Sequence, residues 1–220
     1  GLFITPMMAA SKSEWIVQNV PEAADARAKG RLRLGTPNAF LAACLCGDIN
    51  VSDHGNASPT GLYSYFLNVW DEAPLAALGL DASLLPSLVD SSGEIARTRA
   101  DVFGAEVPLA GMAGDQQASL FGLGCVELSQ AKCSYGTSAM ITMNSGESLA
   151  LGGSGTYPIV AWRYDGRTVF SLEGQVVTAG AAVQWLRDGL GLVAEASETS
   201  ALAASVPDSG GAWAVPAFQG

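Results

Sequence analysis

One histidine, His54, stands in 220 residues, and that scarcity excludes more chemistry than any other feature. A Ser-His-Asp or Cys-His nucleophile would have to use this single imidazole. His54 itself reads as a loop residue. Cysteine is sparse too: Cys44, Cys46, Cys125 and Cys133 contain no Cys-x-x-Cys pair, so no zinc site is expected. They lie in apolar runs such as Leu41–Cys46, where a reduced thiol behaves as a small hydrophobe. Buried free thiols in a reducing compartment are the expectation.

Positive charge is also short. Eleven Lys and Arg oppose 21 Asp and Glu, a formal charge of −10, which argues against a surface for DNA, RNA or anionic lipid. An anionic nucleotide is not excluded, because helix N-termini and backbone amides supply local positive field. No apolar run approaches the roughly 20 residues of a spanning helix, and no basic and apolar leader opens the sequence. A cytoplasmic protein without membrane or nucleic-acid partners is expected. What is abundant is apolar: 49% hydrophobic residues are ample for a core. The ends, Gly1–Ile4 and Pro216–Gly220, read as interrupted structure, as in a piece of a longer chain.

Local signals give an order of elements. Ser11–Glu14 has capping-box spacing ahead of Trp15, and Pro21 ends the helix expected there; a second, charged helix runs to Gly30. Leu32–Leu34 is a short strand candidate. Thr36-Pro37 offers an N-cap with proline at N1 for an apolar helix over 38–46. Residues 50–70 read as polar turns, small helices are expected near 72–79 and 81–86, and 90–105 reads as loop. Val107–Ala113 reads as a buried strand, broken at Gly114 and followed by a helix from Asp115 to Leu123. Strands are expected at 130–135, 138–144, 157–164 and 168–173, with a surface loop at 152–155 and a helix over 178–189. This order describes an α/β protein with a boundary near residue 124 and a cleft between Asp115 and Thr137.

Two segments carry chemistry. Gly111–Gln117 sets one carboxylate, Asp115, on a glycine-lined strand-to-helix corner; Tyr135–Ser138 is a glycine-hydroxyl turn able to lie against a phosphate. Together they point to phosphoryl transfer to an alcohol, with Asp115 within reach of the attacking hydroxyl as base. Taken singly, each residue has a plainer reading. Asp115 is also a helix N-terminal carboxylate favoured by the macrodipole, Gln116 and Gln184 are helix amides, Gly136-Thr137 is an ordinary hairpin turn, and Gly180 is a close-packing glycine. Glu173 and Asp188 read as structural.

The motifs GMAGDQQASLFG (111–122), AKCSYGTSAMITMNSGE (131–147) and LEGQVVTAGAAVQWLRDGLGL (172–192) closely resemble the glycerol kinase branch of the FGGY carbohydrate kinases. Weaker matches at Ser11-Lys12 with Trp15, Leu34–Thr36, Asp53 with Asn56–Ser58, and Val215–Phe218 extend the similarity over nearly the whole chain. The resemblance implies the actin-like ATPase, ribonuclease-H-like fold, with parts of two domains flanking a cleft. Residues 1–123 would be the later part of the N-terminal domain, on the acceptor side, and 124–220 the beginning of the C-terminal domain, on the nucleotide side. It implies ATP-dependent phosphorylation of a polyol hydroxyl, glycerol first, with Mg²⁺ neutralising the phosphate oxygens. It makes Asp115 the base and Gln116 a substrate-hydroxyl ligand. Gly136 and Thr137 become the second phosphate-binding turn, and Gly180 and Gln184 line the nucleotide. A homo-oligomer is implied as well. The first phosphate hairpin, a metal-linked Asp, an Arg-Glu polyol clamp and most of the adenosine pocket would lie outside this chain, which would be inactive alone.

Departures from the family fall near the substrate. Met7 replaces a Tyr, which removes a polyol-binding hydroxyl, and Met140 replaces an aromatic wall with a flexible thioether. Pro59 stands where the family usually has Arg, a departure expected to bear on regulation or assembly and not on the chemistry. The pair Met7 and Met140 keeps open another polyol or a ketose, erythritol- or xylulose-like, as acceptor. A non-catalytic interaction protein of the actin fold, or an ATPase without acceptor, are the alternatives of other classes.

Overall fold

Proline and glycine punctuate the first helices. In the computed structural model, which describes residues 7–153 and 155–218, helix α1 spans Ala9–Asn19 and yields at Val20 to α2, Pro21–Ala28. Pro21 sits in the first turn of α2, where its missing N–H costs nothing. Gly30 follows α2 at a positive φ of 65°. The Ser11–Glu14 spacing does not mark the start of α1: Met8 is the N-cap, and Ser11 lies inside the helix. Ala10 is buried with Leu62 and Leu75, and that packing draws the helix start ahead of the capping motif. Leu32–Leu34 is not a strand either. Leu34 donates one backbone bond to Leu84 O at 2.7 Å, and both leucines are absorbed by the same core.

Helix α3, Pro37–Cys46, has Thr36 as N-cap and Pro37 in its first turn, as the dipeptide requires. The passage after it conceals regular structure. Strand β1, Val51–Asp53, runs directly into the short helix α4, His54–Ala57; a hairpin of β2, Tyr63–Ser64, and β3, Val69–Trp70, follows. Next come α5, Glu72–Ala77, a 3₁₀ turn at Ala82–Leu84 and β4, Ser87–Val89. β4 pairs in parallel with β1, so the intervening residues form one crossover. Residues 90–105 are not loop. They form β5, Ser92–Arg97, and α6, Ala100–Phe103, and β5 pairs antiparallel with β6, Pro108–Gly111. β5 is largely exposed, so it lacks the apolar alternation by which a strand is read. Helix α7, Asp115–Gly122, ends near Gly124, which has a φ of 77°.

Four antiparallel strands follow in the order β7-β8-β10-β9: β7 is Ala131–Tyr135, β8 Ala139–Gly146, β9 Thr156–Tyr164 and β10 Arg167–Val176. The helices α8, Gly180–Asp188, and α9, Glu198–Ala204, complete the series. Of the glycine loop at 152–155, residue 154 lies outside the described residues, as do 1–6 and 219–220. Among the described residues no helix is long and apolar enough to cross a membrane.

The sheet packs on the segment before residue 123. Ala57, Tyr63 and Tyr65 share one buried cluster with Val160 and Phe170, and Leu120 shares another with Cys125 and Ala161. Polar bonds reinforce the junction: Ser58 Oγ accepts from Val160 N–H at 3.0 Å, and Ser91 N–H donates to Arg163 O at 2.7 Å. Arg163 and Asp90 pair at 3.2 Å in partial burial. Of the four free cysteines only Cys125 is buried; Cys44 and Cys133 are exposed and Cys46 is half-buried, because α3 and β7 bury only their other faces.

His54 is not a loop residue. It begins α4, is 5% exposed, and its Nδ1 lies 2.7 Å from the Tyr63 hydroxyl. Burial holds its imidazole down to about 4, with the nearby Arg163 charge adding to the effect and Asp90 opposing it. The unfolded chain therefore binds a proton at His54 between about 6.5 and 4 that the folded chain refuses, and this contribution to stability is lost as pH falls through that window. The buried carboxyls of Asp53 and Glu173, raised by desolvation, act in the opposite sense. Melting temperatures measured from pH 7 to pH 4 are therefore expected to fall less steeply for His54→Gln than for the unmodified protein. Equal slopes would show that this imidazole does not titrate on unfolding.

Candidate active site

Asp53, at the end of β1, is fully buried and organises the turn that frames the site. Its carboxylate accepts from Gly55 N–H at 2.9 Å, Asn56 N–H at 3.4 Å, Asn56 Nδ2 at 2.6 Å and Ser91 Oγ at 3.3 Å. Burial pushes the Asp53 carboxyl up, and these donors pull it back. Glycine is required beside it, since a Cβ on Gly55 would lie 2.7 Å from Asp53 Oδ2.

Helix α7 is tied to this turn from the other side. Gln117 is buried and its Nε2 reaches the carbonyl oxygens of Gly55 at 3.4 Å and Val160 at 3.5 Å, so one side chain links α7 to α4 and β9. Gly114, the N-cap, has no space for a methyl, which would collide with Gln117 Oε1. The corner that the sequence reads as strand, glycine, helix is thereby fixed, and Asp115 and Gln116 are held at the mouth of a cavity.

That cavity is about 200 Å³. It is smaller than the roughly 300–1,000 Å³ of sites for drug-sized ligands, so it suits a small molecule. Gly114–Gln117 line one side, Gly55, Asn56 and Pro59 a second, and Tyr157, Ile159 and Glu173 of the sheet a third. Asp115 is exposed, and Gln116 Nε2 lies 3.5 Å from its Oδ2.

The sheet contributes a polar row that sequence reasoning did not find. Lys132 of β7 is opposite Thr142 of β8, Thr142 is opposite Glu173 of β10, and Glu173 is opposite Tyr157 of β9. Directly opposed residues share a face, so the four side chains cross all four strands in line. Thr142 Oγ1 donates to Glu173 Oε1 at 3.2 Å. Burial pushes the Glu173 carboxyl up and Asp115 adds to this, while Tyr157, Thr142 and the Lys132 charge draw it down. The Tyr157 phenol is pushed up to about 12, by burial first and by the Glu173 charge second. Glu173, expected to be structural, lines the cavity instead, and Lys132 is the one charge in β7; register alone turns such charges inside strands into a site.

A second cluster forms where β7 turns into β8. Gly136 O accepts from Gly180 N–H at 2.9 Å, and Thr137 O accepts from Ala179 N–H at 2.9 Å and Ala181 N–H at 3.1 Å. The turn's carbonyls are thus occupied by the start of α8, which leaves its exposed Thr137 side chain on the open side. Gly180 makes the approach possible: a Cβ there would lie 2.5 Å from Gly136 O. Gln184 is exposed on the next turn of α8.

The eight residues singled out by sequence therefore fall into two groups with one outlier. Asp115 and Gln116 line the cavity, and Gly136, Thr137 and Gly180 make the turn-helix cluster with Gln184 beside it. Met140 borders the cavity indirectly, its Sδ 3.9 Å from the Tyr157 hydroxyl. Met7 is the outlier. It is 75% exposed ahead of α1 and does not line the cavity, so it and Met140 do not share one wall. Tyr157, from another strand, lines the cavity that Met140 was expected to leave without a flat wall.

Comparison with known proteins gives the family and the fold. Residues 1–122 match the model of the FGGY family of carbohydrate kinases, N-terminal domain. The chain is 44% identical to a glycerol kinase of Alkalilimnicola ehrlichii over 221 aligned residues, which is 100% of this chain and 45% of that protein. It is 40% identical to glycerol kinase 2 of Thermotoga maritima with the same coverage. Its fold superimposes on a crystal structure of Plasmodium falciparum glycerol kinase with ADP at a TM-score of 0.87 and 26% identity, over 94% of this chain and 42% of that one. A ligand-bound xylulose kinase of Lactobacillus acidophilus shares the fold at a TM-score of 0.78 and 20% identity, over 92% of this chain and 40% of that one. The chain thus spans less than half the length of these relatives.

Proposed function

The chain belongs to the FGGY family of carbohydrate kinases, and from that premise we propose that it is part of an enzyme that transfers the γ-phosphoryl group of ATP to a polyol hydroxyl, glycerol being the leading acceptor. The observation that carries this reading is the presentation of Asp115 and Gln116 together at one small cavity. An alcohol is a weak nucleophile near neutral pH; Asp115 accepts its proton as the oxygen attacks, and Gln116 holds a neighbouring hydroxyl. The match to the N-terminal domain, ending at residue 122, supports a division into 1–123 on the acceptor side and 124–220 on the nucleotide side.

ATP fits the second cluster. Gly136 and Gly180 allow close backbone approach, and the exposed Thr137 hydroxyl is free to donate to a phosphate oxygen; Gly180 and Gln184 flank the nucleotide. Mg²⁺ is different. Among the described residues no group of three or more His, Cys, Asp or Glu could hold a metal; the ion, when bound with ATP, would neutralise charge on the phosphate oxygens. A cytoplasmic homo-oligomer completes the proposal.

A second reading, another polyol or a ketose as acceptor, is favoured by Met140 and Tyr157 together, which give the cavity a wall unlike the one that the family resemblance implies. One assay separates the two. The full-length protein, given ATP and a panel of glycerol, erythritol and xylulose, is expected to consume ATP only with an acceptor and to show its highest kcat/KM with glycerol. A higher kcat/KM for erythritol or xylulose selects the second reading, and ATP turnover independent of every acceptor overturns both.

A further inference from the structure

Among the described residues Lys132 is the one buried lysine, and it is turned toward the candidate site. It is 5% exposed, stands on β7 four residues before Gly136, and among the described residues its ammonium bonds to Gln116 Oε1 and to Ser134 Oγ, the latter at 3.0 Å. Glu173 feels its charge without contacting it closely enough to pair: no ion pair within 4.0 Å joins the two. A buried cation held by neutral oxygens in place of a carboxylate is a costly arrangement. Its geometry, however, settles a question about Gln116 that the glutamine alone leaves open.

A carboxamide has one accepting and one donating end, and either could face a substrate. An ammonium has three donors and no acceptor, so only Oε1 of Gln116 can meet it. With Oε1 taken by Lys132, Nε2 is the end left for the cavity, beside Asp115 Oδ2 at 3.5 Å. We infer that Lys132 is a positioning residue: it locks the Gln116 carboxamide in the orientation that offers an N–H donor to an acceptor hydroxyl oxygen while Asp115 takes the proton of the reacting hydroxyl. This rests on the acceptor-site reading above and deepens it.

The test uses the full-length enzyme and a double-mutant cycle. Lys132→Met removes the charge with little change in length and frees the carboxamide to rotate. Leaving one buried hydrogen-bonding partner unsatisfied is expected to lower kcat/KM for the polyol about tenfold to a hundredfold, mainly through KM, with the KM for ATP unchanged. In a Gln116→Ala background the same substitution is expected to have no further effect, since there is no carboxamide to orient. If Lys132→Met is too unstable to assay, Lys132→Arg carries the same cycle: its planar fork must displace the carboxamide while the charge stays, so polyol KM rises with Gln116 present and not with Ala there. Equal losses in the two backgrounds, or a rise in ATP KM, would assign Lys132 a structural role and overturn the inference. An unmodified enzyme inactive on every polyol would instead overturn the acceptor-site reading itself.

Discussion

Asp115→Asn in the full-length enzyme is expected to reduce kcat for polyol phosphorylation by roughly 10²–10⁴-fold, the usual weight of a positioned acid-base group, while nucleotide affinity is retained. The structure makes this a clean substitution. Asp115 is exposed at the start of α7, and among the described residues its one side-chain partner is Gln116 Nε2 at 3.5 Å. Asn is isosteric and keeps an oxygen for that contact. What it removes is a charge at a helix N-terminus, which stabilises an exposed helix by only about 0.3–1 kcal/mol. The frame that holds the corner does not depend on Asp115, because Gln117, Gly55 and Asp53 supply its bonds. A large loss of turnover with a small change in melting temperature therefore separates chemistry from folding. If turnover stays near that of the unmodified enzyme, Asp115 is only a helix-terminal carboxylate, and the proposed mechanism fails.

Gly180→Ala is expected to produce the largest effect on the nucleotide side. The added methyl would meet Gly136 O at 2.5 Å and Gly136 C at 3.3 Å, and both are backbone atoms that no rotamer change can clear. Either α8 retreats or the turn opens, and the three bonds from Ala179, Gly180 and Ala181 to that turn are strained together. Overpacking of this kind costs about 1–3 kcal/mol, so the KM for ATP should rise about fivefold to a hundredfold, with polyol KM much less affected. Gly136→Ala is the informative comparison. Its Cβ would meet Ser138 O at 3.8 Å, ordinary contact, so the turn itself is not strained by it. A loss of ATP affinity there would report on how closely a phosphate must approach the backbone. Unchanged ATP affinity in Gly180→Ala would remove the turn-helix cluster from the nucleotide site.

The departures from the family pattern acquire different weights. Met140 touches Tyr157, which lines the cavity beside Glu173. Met7 lies apart from the cavity and is largely exposed. Pro59, expected to stand apart from the chemistry, lies instead in the cavity lining, in the 3₁₀ turn after α4.

How far the sequence could be read depended on where each signal was local. The Thr36-Pro37 start of α3, the glycine corner before Asp115 and the strand series after residue 130 are short-range patterns, and each appears where expected. Failures came where burial decided. Ala10 in the core overrode a capping box, β5 hid in a polar stretch because its faces are exposed, and His54 looked like a loop residue until Tyr63 covered it.

The sequence alone determined the family and the α/β class and marked Asp115 with Gln116 and the Gly136-Thr137 turn as candidates, because these are contiguous motifs whose meaning lies in adjacent residues. Only the tertiary structure decided that Lys132, Thr142, Glu173 and Tyr157 form one row whose Glu173 and Tyr157 share the cavity with Asp115, that Gly180 leaves room for Gly136, and that Met7 stands outside the cavity. The physical reason is register. Residues distant in sequence become neighbours only through strand pairing and the burial of the faces that pairing creates, and neither is written in any single segment.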